Sequence, residues 1–124
     1  MGDLSKNFNR SEFACRGEKC CGGSAPVDPV LVEALQDLRD RVKQPIHITS
    51  GFRCIKHNAA IGGAEDSQHT LGKAADVRVV GMSPVDLAEA AKKVRAFANG
   101  GIGLYGAWVH LDVRSDGPVR WRGV

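Results

Sequence analysis

Little in this chain points to a membrane, a nucleotide or a nucleic acid. No apolar run reaches the roughly 18 residues that a membrane-spanning helix needs. The opening MGDLSKNFNR has no apolar h-region, so no secretory signal peptide is expected. No Walker loop is present, which removes that phosphate cradle. Aromatic residues are only 6% of the chain, and no lysine or arginine run interleaves with them. A nucleic-acid partner is therefore not expected. Internal repeats and low-complexity tails are missing as well.

What remains is the composition of one globular domain. The chain has 124 residues, 43% hydrophobic and 25% charged, enough for a modest core. We expect a single domain over 1–124, acting as a monomer, with 1–27 as an irregular cysteine-containing segment. The net charge of +3 favours an anionic surface without identifying one. The four cysteines are Cys15, Cys20, Cys21 and Cys54, three of them in ACRGEKCCGG. Without a secretory leader a disulfide framework is disfavoured. The spacing matches no standard zinc motif either. Free thiols, one disulfide and a second metal site all stay open.

The elements alternate. Asp28-Pro29 reads as an N-cap followed by proline in the first turn. Val30, Leu31, Ala34, Leu35, Leu38 and Val42 then recur at helical spacing, until Gln44-Pro45 ends the helix. Ile46 to Thr49 reads as a short strand, with Ile46 and Ile48 on one face. Residues 50–74 are rich in turn formers, and Gly22-Gly23 reads as a flexible break. A loop that long in a small domain is usually functional or disordered. Ala75 to Val80 reads as a strand. Ser83-Pro84 opens a second helix that runs to Asn99-Gly100-Gly101. Ile102 to Tyr105, Trp108 to Val113 and Val119 to Trp121 read as strands. This order predicts an α+β fold with a small, mostly antiparallel sheet.

The chemistry concentrates in SQHTLGKAAD, residues 67–76. Zinc takes imidazole nitrogen and carboxylate oxygen, and a catalytic site uses three protein ligands. His69 and Asp76 are candidates for two of them, with Gly72 allowing a tight turn between. A carboxylate in the apolar run that Asp76 opens is costly unless paired or metal-bound. The third ligand must come from elsewhere, and WVHLDVR, residues 108–114, offers it. Alternation places Val109, Leu111 and Val113 on the core face. Trp108, His110 and Asp112 then face a cleft or solvent. Plainer roles exist for each residue. Asp76 suits a helix cap or a surface strand, while His110 suits an exposed strand position and His69 an idle loop. His47 and His57 read as structural or exposed, with His57 able to order the loop through hydrogen bonds.

ITSGFRCIKHNAAIGGAEDSQHTLGKAADVRV followed by GIGLYGAWVHLDVRSDGPVRW resembles the zinc D-alanyl-D-alanine peptidases of peptidoglycan. The branch resembled includes small bacterial and phage cell-wall peptidases. FNRSEFAC and PVDPVLVEALQDLRD resemble that branch too, so the likeness runs from Phe8 to Trp121. It implies the hedgehog/DD-peptidase fold and one zinc per chain on His69, Asp76 and His110. It also implies that Arg53, in SGFR, stabilises the substrate's carbonyl oxygen and that Ser67 helps hold the substrate. On their own, Arg53 suits a surface ion pair and Ser67 a turn. One departure stands out. Several relatives carry an acidic general base three residues before the last ligand histidine, and Ala107 occupies that place here. Asp112 is the nearest replacement, with Glu65 and Asp66 as further alternatives.

The reading that follows is a zinc metallopeptidase acting on the peptidoglycan stem peptide. Carboxypeptidase and endopeptidase activities both fit. The enzyme would be made in the bacterial cytoplasm and would act on the wall, in the manner of a holin-released phage endolysin or a virion lysin. Its rival is a catalytically inactive, zinc-stabilised binding module, supported by Ala107. A thiol redox protein built on Cys20-Cys21 is a remote third, because adjacent cysteines suit exchange poorly.

Overall fold

Asp28 starts the first helix by accepting a hydrogen bond from the Val30 amide at 2.8 Å. Pro29 follows in the first turn, where a missing N–H costs nothing. The computed structural model describes residues 2–17, 21, 25–63 and 67–123. Helix α1 spans Pro29–Val42 and buries Leu31, Val32, Ala34, Leu35 and Leu38. Each of those leucines contributes roughly 1.5–3 kcal/mol by leaving water. The helix stops at Lys43, whose left-handed backbone (φ 57°) lets its amide reach the Arg39 carbonyl at 3.0 Å.

The remaining elements are β1 (His47–Ser50), α2 (Ile55–Ala60), β2 (Ala74–Arg78), α3 (Pro84–Ala91), α4 (Arg95–Ala98), β3 (Gly101–Leu104), β4 (Val109–Asp112) and β5 (Val119–Arg122). Short 3₁₀ turns lie at Arg10–Phe13 and Gln68–Leu71. The strands form one sheet in the order β1-β2-β4-β3-β5. All neighbours are antiparallel except β3 and β5, which run parallel. This is the α+β, mostly antiparallel architecture that the sequence predicts, and it accords with the hedgehog/DD-peptidase fold.

The register divides the sheet into two faces. Ala75 lies opposite Leu111, and Val77 opposite Val109. With Ile48 and Ile102 they form the apolar face of a core that α1, α3 and α4 complete. Asp76 lies opposite His110, and Gly103 opposite the same histidine on the far side. Those residues belong to the other face.

Three expectations differ from the structure. The stretch 50–74 is not all loop, since it holds α2 and a 3₁₀ turn. Helix α2 buries only Asn58 and leaves Ile55 81% exposed, so it has no apolar stripe to betray it. The second helix breaks at Val94, which is extended (φ −92°, ψ 116°) and buried. The segment before α1 is not wholly irregular either. It contains the Arg10–Phe13 turn and puts Phe8 and Phe13 into the core, with ring centroids 6.2 Å apart. Gly22-Gly23 and Cys20 lie outside the described residues.

Candidate metal centre

Three donors converge where β2, β4 and the Gln68–Leu71 turn meet. The turn is capped by Ser67, whose hydroxyl accepts from the His69 amide at 3.2 Å. It ends at Gly72, which is left-handed (φ 71°). A side chain there would also meet the Pro26 carbonyl, so glycine is required twice over. His69 is thereby aimed at Asp76. Its Nε2 stands 3.2 Å from Asp76 Oδ1, and His110 Nδ1 stands 3.1 Å from the same oxygen. All three residues are buried.

The outer nitrogens of the two rings decide what the inner ones present. His69 Nδ1 lies 2.7 Å from the Gly51 carbonyl, which can only accept, so Nδ1 carries the hydrogen. His110 Nε2 lies 2.8 Å from the Asp112 carboxylate, so it too carries a hydrogen. With both rings neutral, two lone pairs and a carboxylate oxygen face one another and no proton lies between them. A cation is what such a set of three acceptors lacks. On a tetrahedral zinc, with donors at about 2.0–2.2 Å, neighbouring donors stand about 3.3–3.6 Å apart. The observed 3.1 and 3.2 Å are within a few tenths of that. The donor set thus fits a zinc ion.

Asp112 departs from its expected place on a cleft or solvent face, because it is fully buried. Alternation assigns it to the right face, but β4 is flanked by β2 and β3 and covered by side chains from beyond the strand. Both its oxygens are occupied. Oδ1 accepts from the Gly101 amide at 2.8 Å and from Arg114 Nε at 2.9 Å. Oδ2 accepts from Arg114 Nη2 at 2.7 Å as well as from His110. Burial by itself would raise its pKa, but the bonds from Arg114 and His110 prevail and hold it well below the usual carboxylate range. Asp76 behaves alike: burial opposes ionisation, and hydrogen bonds from His110 and His69 overcome it.

Arg53 reaches the same centre from the segment before α2. Its amide donates to the His69 carbonyl at 3.1 Å. Its guanidinium donates to Asn58 Oδ1 at 3.1 Å and lies 3.5 Å from Asp76 Oδ2. An open cleft of about 920 Å³ lies over these residues. Arg53, Ser67, His69 and His110 line it, as sequence reasoning would place them. Tyr105, Arg114, Asp116 and Trp121 line it too, and nothing in the sequence singled them out. Trp121 packs beside the His110 ring at 4.9 Å between centroids and donates to the Tyr105 hydroxyl at 3.0 Å. Ala107 is exposed and borders a different hollow with Arg78 and Pro84. Glu65 and Asp66 lie outside the described residues.

A family model described as Peptidase M15 matches residues 6–112. The chain belongs to the peptidase M15 family. Peptidases M15 are zinc-dependent, in keeping with the donor set above. Among curated proteins the chain is similar to the peptidoglycan L,D-endopeptidase MepK of Escherichia coli K12. The two are 33% identical over 103 residues, covering 76% of this chain and 53% of the relative. The probable peptidoglycan L,D-endopeptidase MepK of Haemophilus influenzae is 31% identical over 109 residues, covering 79% of this chain and 55% of its own. The chain therefore spans about half the length of these curated relatives. No helix among the described residues is long and apolar enough to cross a membrane.

Proposed function

We propose that this M15 chain is a zinc peptidase that hydrolyses peptide bonds in bacterial peptidoglycan. One zinc is held by His69, Asp76 and His110. The observation that carries this reading is the convergence of two imidazole lone pairs on one Asp76 oxygen, at the floor of an open cleft with Arg53 beside it. Zinc in such a site supplies a Lewis acid and makes a water acidic enough to attack a carbonyl near neutral pH.

The chain's own residues do the rest. Arg53 binds the scissile carbonyl oxygen and stabilises the charge that develops on it. Asp112 does not act as a base in this reading. It holds His110 in the tautomer whose lone pair points inward, as carboxylates behind ligand histidines do. The proton then needs another acceptor. Among the described residues that line the cleft, Asp116 is the one acid. We assign it that role. Ser67, Tyr105 and Trp121 form walls for an extended peptide, and Arg53 and Arg114 favour a substrate that carries carboxylates. The related MepK proteins are named as L,D-endopeptidases, so an internal L,D bond of the stem peptide is the preferred target and terminal D-Ala removal the alternative. Action as a phage lysin goes with this reading, and turbidity loss of permeabilised cells tests it.

The experiment is metal content paired with cleavage. Wild type and His69→Ala are purified, zinc is counted by mass spectrometry, and purified peptidoglycan is digested with each. Loss in His69→Ala of one zinc equivalent and of product together supports the reading, and product masses name the bond. Zinc bound without cleavage of any wall type moves the assignment to a binding module.

A further inference from the structure

A second group of metal-ligating side chains lies outside this cleft. The Sγ atoms of Cys15, Cys21 and Cys54 all stand within 4.8 Å of one another. They come from three separate stretches. Cys15 follows the Arg10–Phe13 turn, Cys21 lies on the path to α1, and Cys54 caps the start of α2. Cys15 is buried and the other two are half-buried, so the cluster is screened from bulk water without being sealed.

The spacing has a specific meaning. Cys15 Sγ and Cys54 Sγ are 3.8 Å apart. Two thiolates at about 2.3 Å from a tetrahedral zinc stand about 3.8 Å from each other. Cys54 Sγ also accepts from the His57 amide at 3.3 Å. The thiolate is the form of cysteine that binds metal.

We propose that Cys15, Cys21 and Cys54 form a second metal site, of the thiolate type, for a zinc-class cation. Three thiols release three protons to solvent and three sulfur–metal bonds form, with no electron transfer. Thiolate donors select zinc over magnesium or calcium. The site is structural, and it clamps the N-terminal segment onto the loop that carries Arg53. The same two stretches already touch, since the Phe52 amide donates to the Phe13 carbonyl at 2.8 Å. Gly51 packs so closely on the Phe13 backbone that a Cβ would collide with it. The clamped loop supplies both the Gly51 carbonyl behind His69 and the Arg53 guanidinium. A cation there would stiffen the catalytic loop from outside the cleft.

The test does not depend on the peptidase reading. The chain is purified with a phosphine reductant, its bound metal is counted, and cobalt(II) is exchanged in. Wild type should carry two equivalents, and His69→Ala and Cys21→Ser one each. The sulfur-to-cobalt charge-transfer band should persist in His69→Ala and vanish in Cys21→Ser. Cys21 is half-buried, so its serine variant should fold, and circular dichroism checks this. Cys15→Ser repeats the measurement at the buried ligand. A single equivalent in wild type with all thiols open to alkylation overturns the proposal. So does a second equivalent that survives in Cys21→Ser.

Discussion

His110 donates through Nε2 to Asp112 Oδ2 at 2.8 Å, and Asp112 has no exposed surface. The pair fixes which nitrogen the histidine offers to a metal. Asp112→Asn breaks this in either orientation of the amide. If its oxygen faces His110, its NH₂ meets the Arg114 guanidinium, donor against donor. If its NH₂ faces His110, the ring must take the wrong tautomer. Zinc affinity should fall by roughly 10–100-fold, as measured by competition with a chromophoric chelator. Unchanged affinity would refute the orienting role.

Arg53 should separate binding of metal from chemistry. Its contact with Asp76 is long, at 3.5 Å, so the ligands do not depend on it. Arg53→Ala should keep its zinc and lose about 10²–10³ in kcat on peptidoglycan fragments, the usual loss for one oxyanion donor. Loss of zinc along with activity would make Arg53 a structural residue.

Asp116 is exposed at the rim of the cleft, so its substitution should leave the fold untouched. Asp116→Asn should lower kcat by about 10²–10⁴ with zinc content and melting temperature unchanged. A rate equal to wild type would remove it from the mechanism.

The metal-free protein should respond to pH in a direction that zinc reverses. Burial alone would lower the His110 pKa, but hydrogen bonds to Asp112 and Asp76 outweigh burial and raise it above the ordinary 6.5. A raised folded-state pKa contributes stability that is fully present below the unfolded value. That stability is lost as pH rises through the folded value. Asp76 and Asp112 stay ionised across this window, because both are held well below the usual carboxylate range. Melting temperature of the metal-free chain should therefore fall as pH rises past 6.5. With saturating zinc it should rise over the same interval, since the metal needs the ring neutral. Parallel curves with and without zinc would contradict this.

Gly103 lies opposite His110, and a Cβ there would run into the Trp121 indole. The indole is rigid and hydrogen-bonded to Tyr105. Gly103→Ala should destabilise the fold by about 1–3 kcal/mol, the usual range for overpacking, in urea titrations. A stability equal to wild type would show that Trp121 moves freely.

Local signals carried most of the fold. Asp28-Pro29 and Ser83-Pro84 mark helix starts because capping is a matter of a few neighbouring residues. Ser83 accepts from the Asp86 amide as a cap should, at 3.1 Å. The three ligand candidates were legible as residue types in a patterned stretch, and the structure brings them together. Depth was not legible. Alternation tells which face Asp112 takes, but Arg114 and Gly101, which enclose it, are placed by the chain beyond the strand. Helix α2 was hidden because nothing on it repeats at helical spacing. The cleft walls at Tyr105, Asp116 and Trp121 were hidden for another reason. Trp121 reaches His110 only because β5 lies parallel to β3, and pairing direction leaves no local mark.

Asp76 and His110 are cross-strand partners on β2 and β4, inside a sheet whose edges are β1 and β5. Edges and termini fray at little cost, whereas central strands open only when the whole molecule does. Amide hydrogen exchange at these two positions should therefore be among the slowest in the chain. The loops bearing Arg53 and Asp116 can breathe without disturbing them. A metal seated there would have two of its three ligands on strands that do not open locally, so the cleft can flex around its substrate while its charge stays in place.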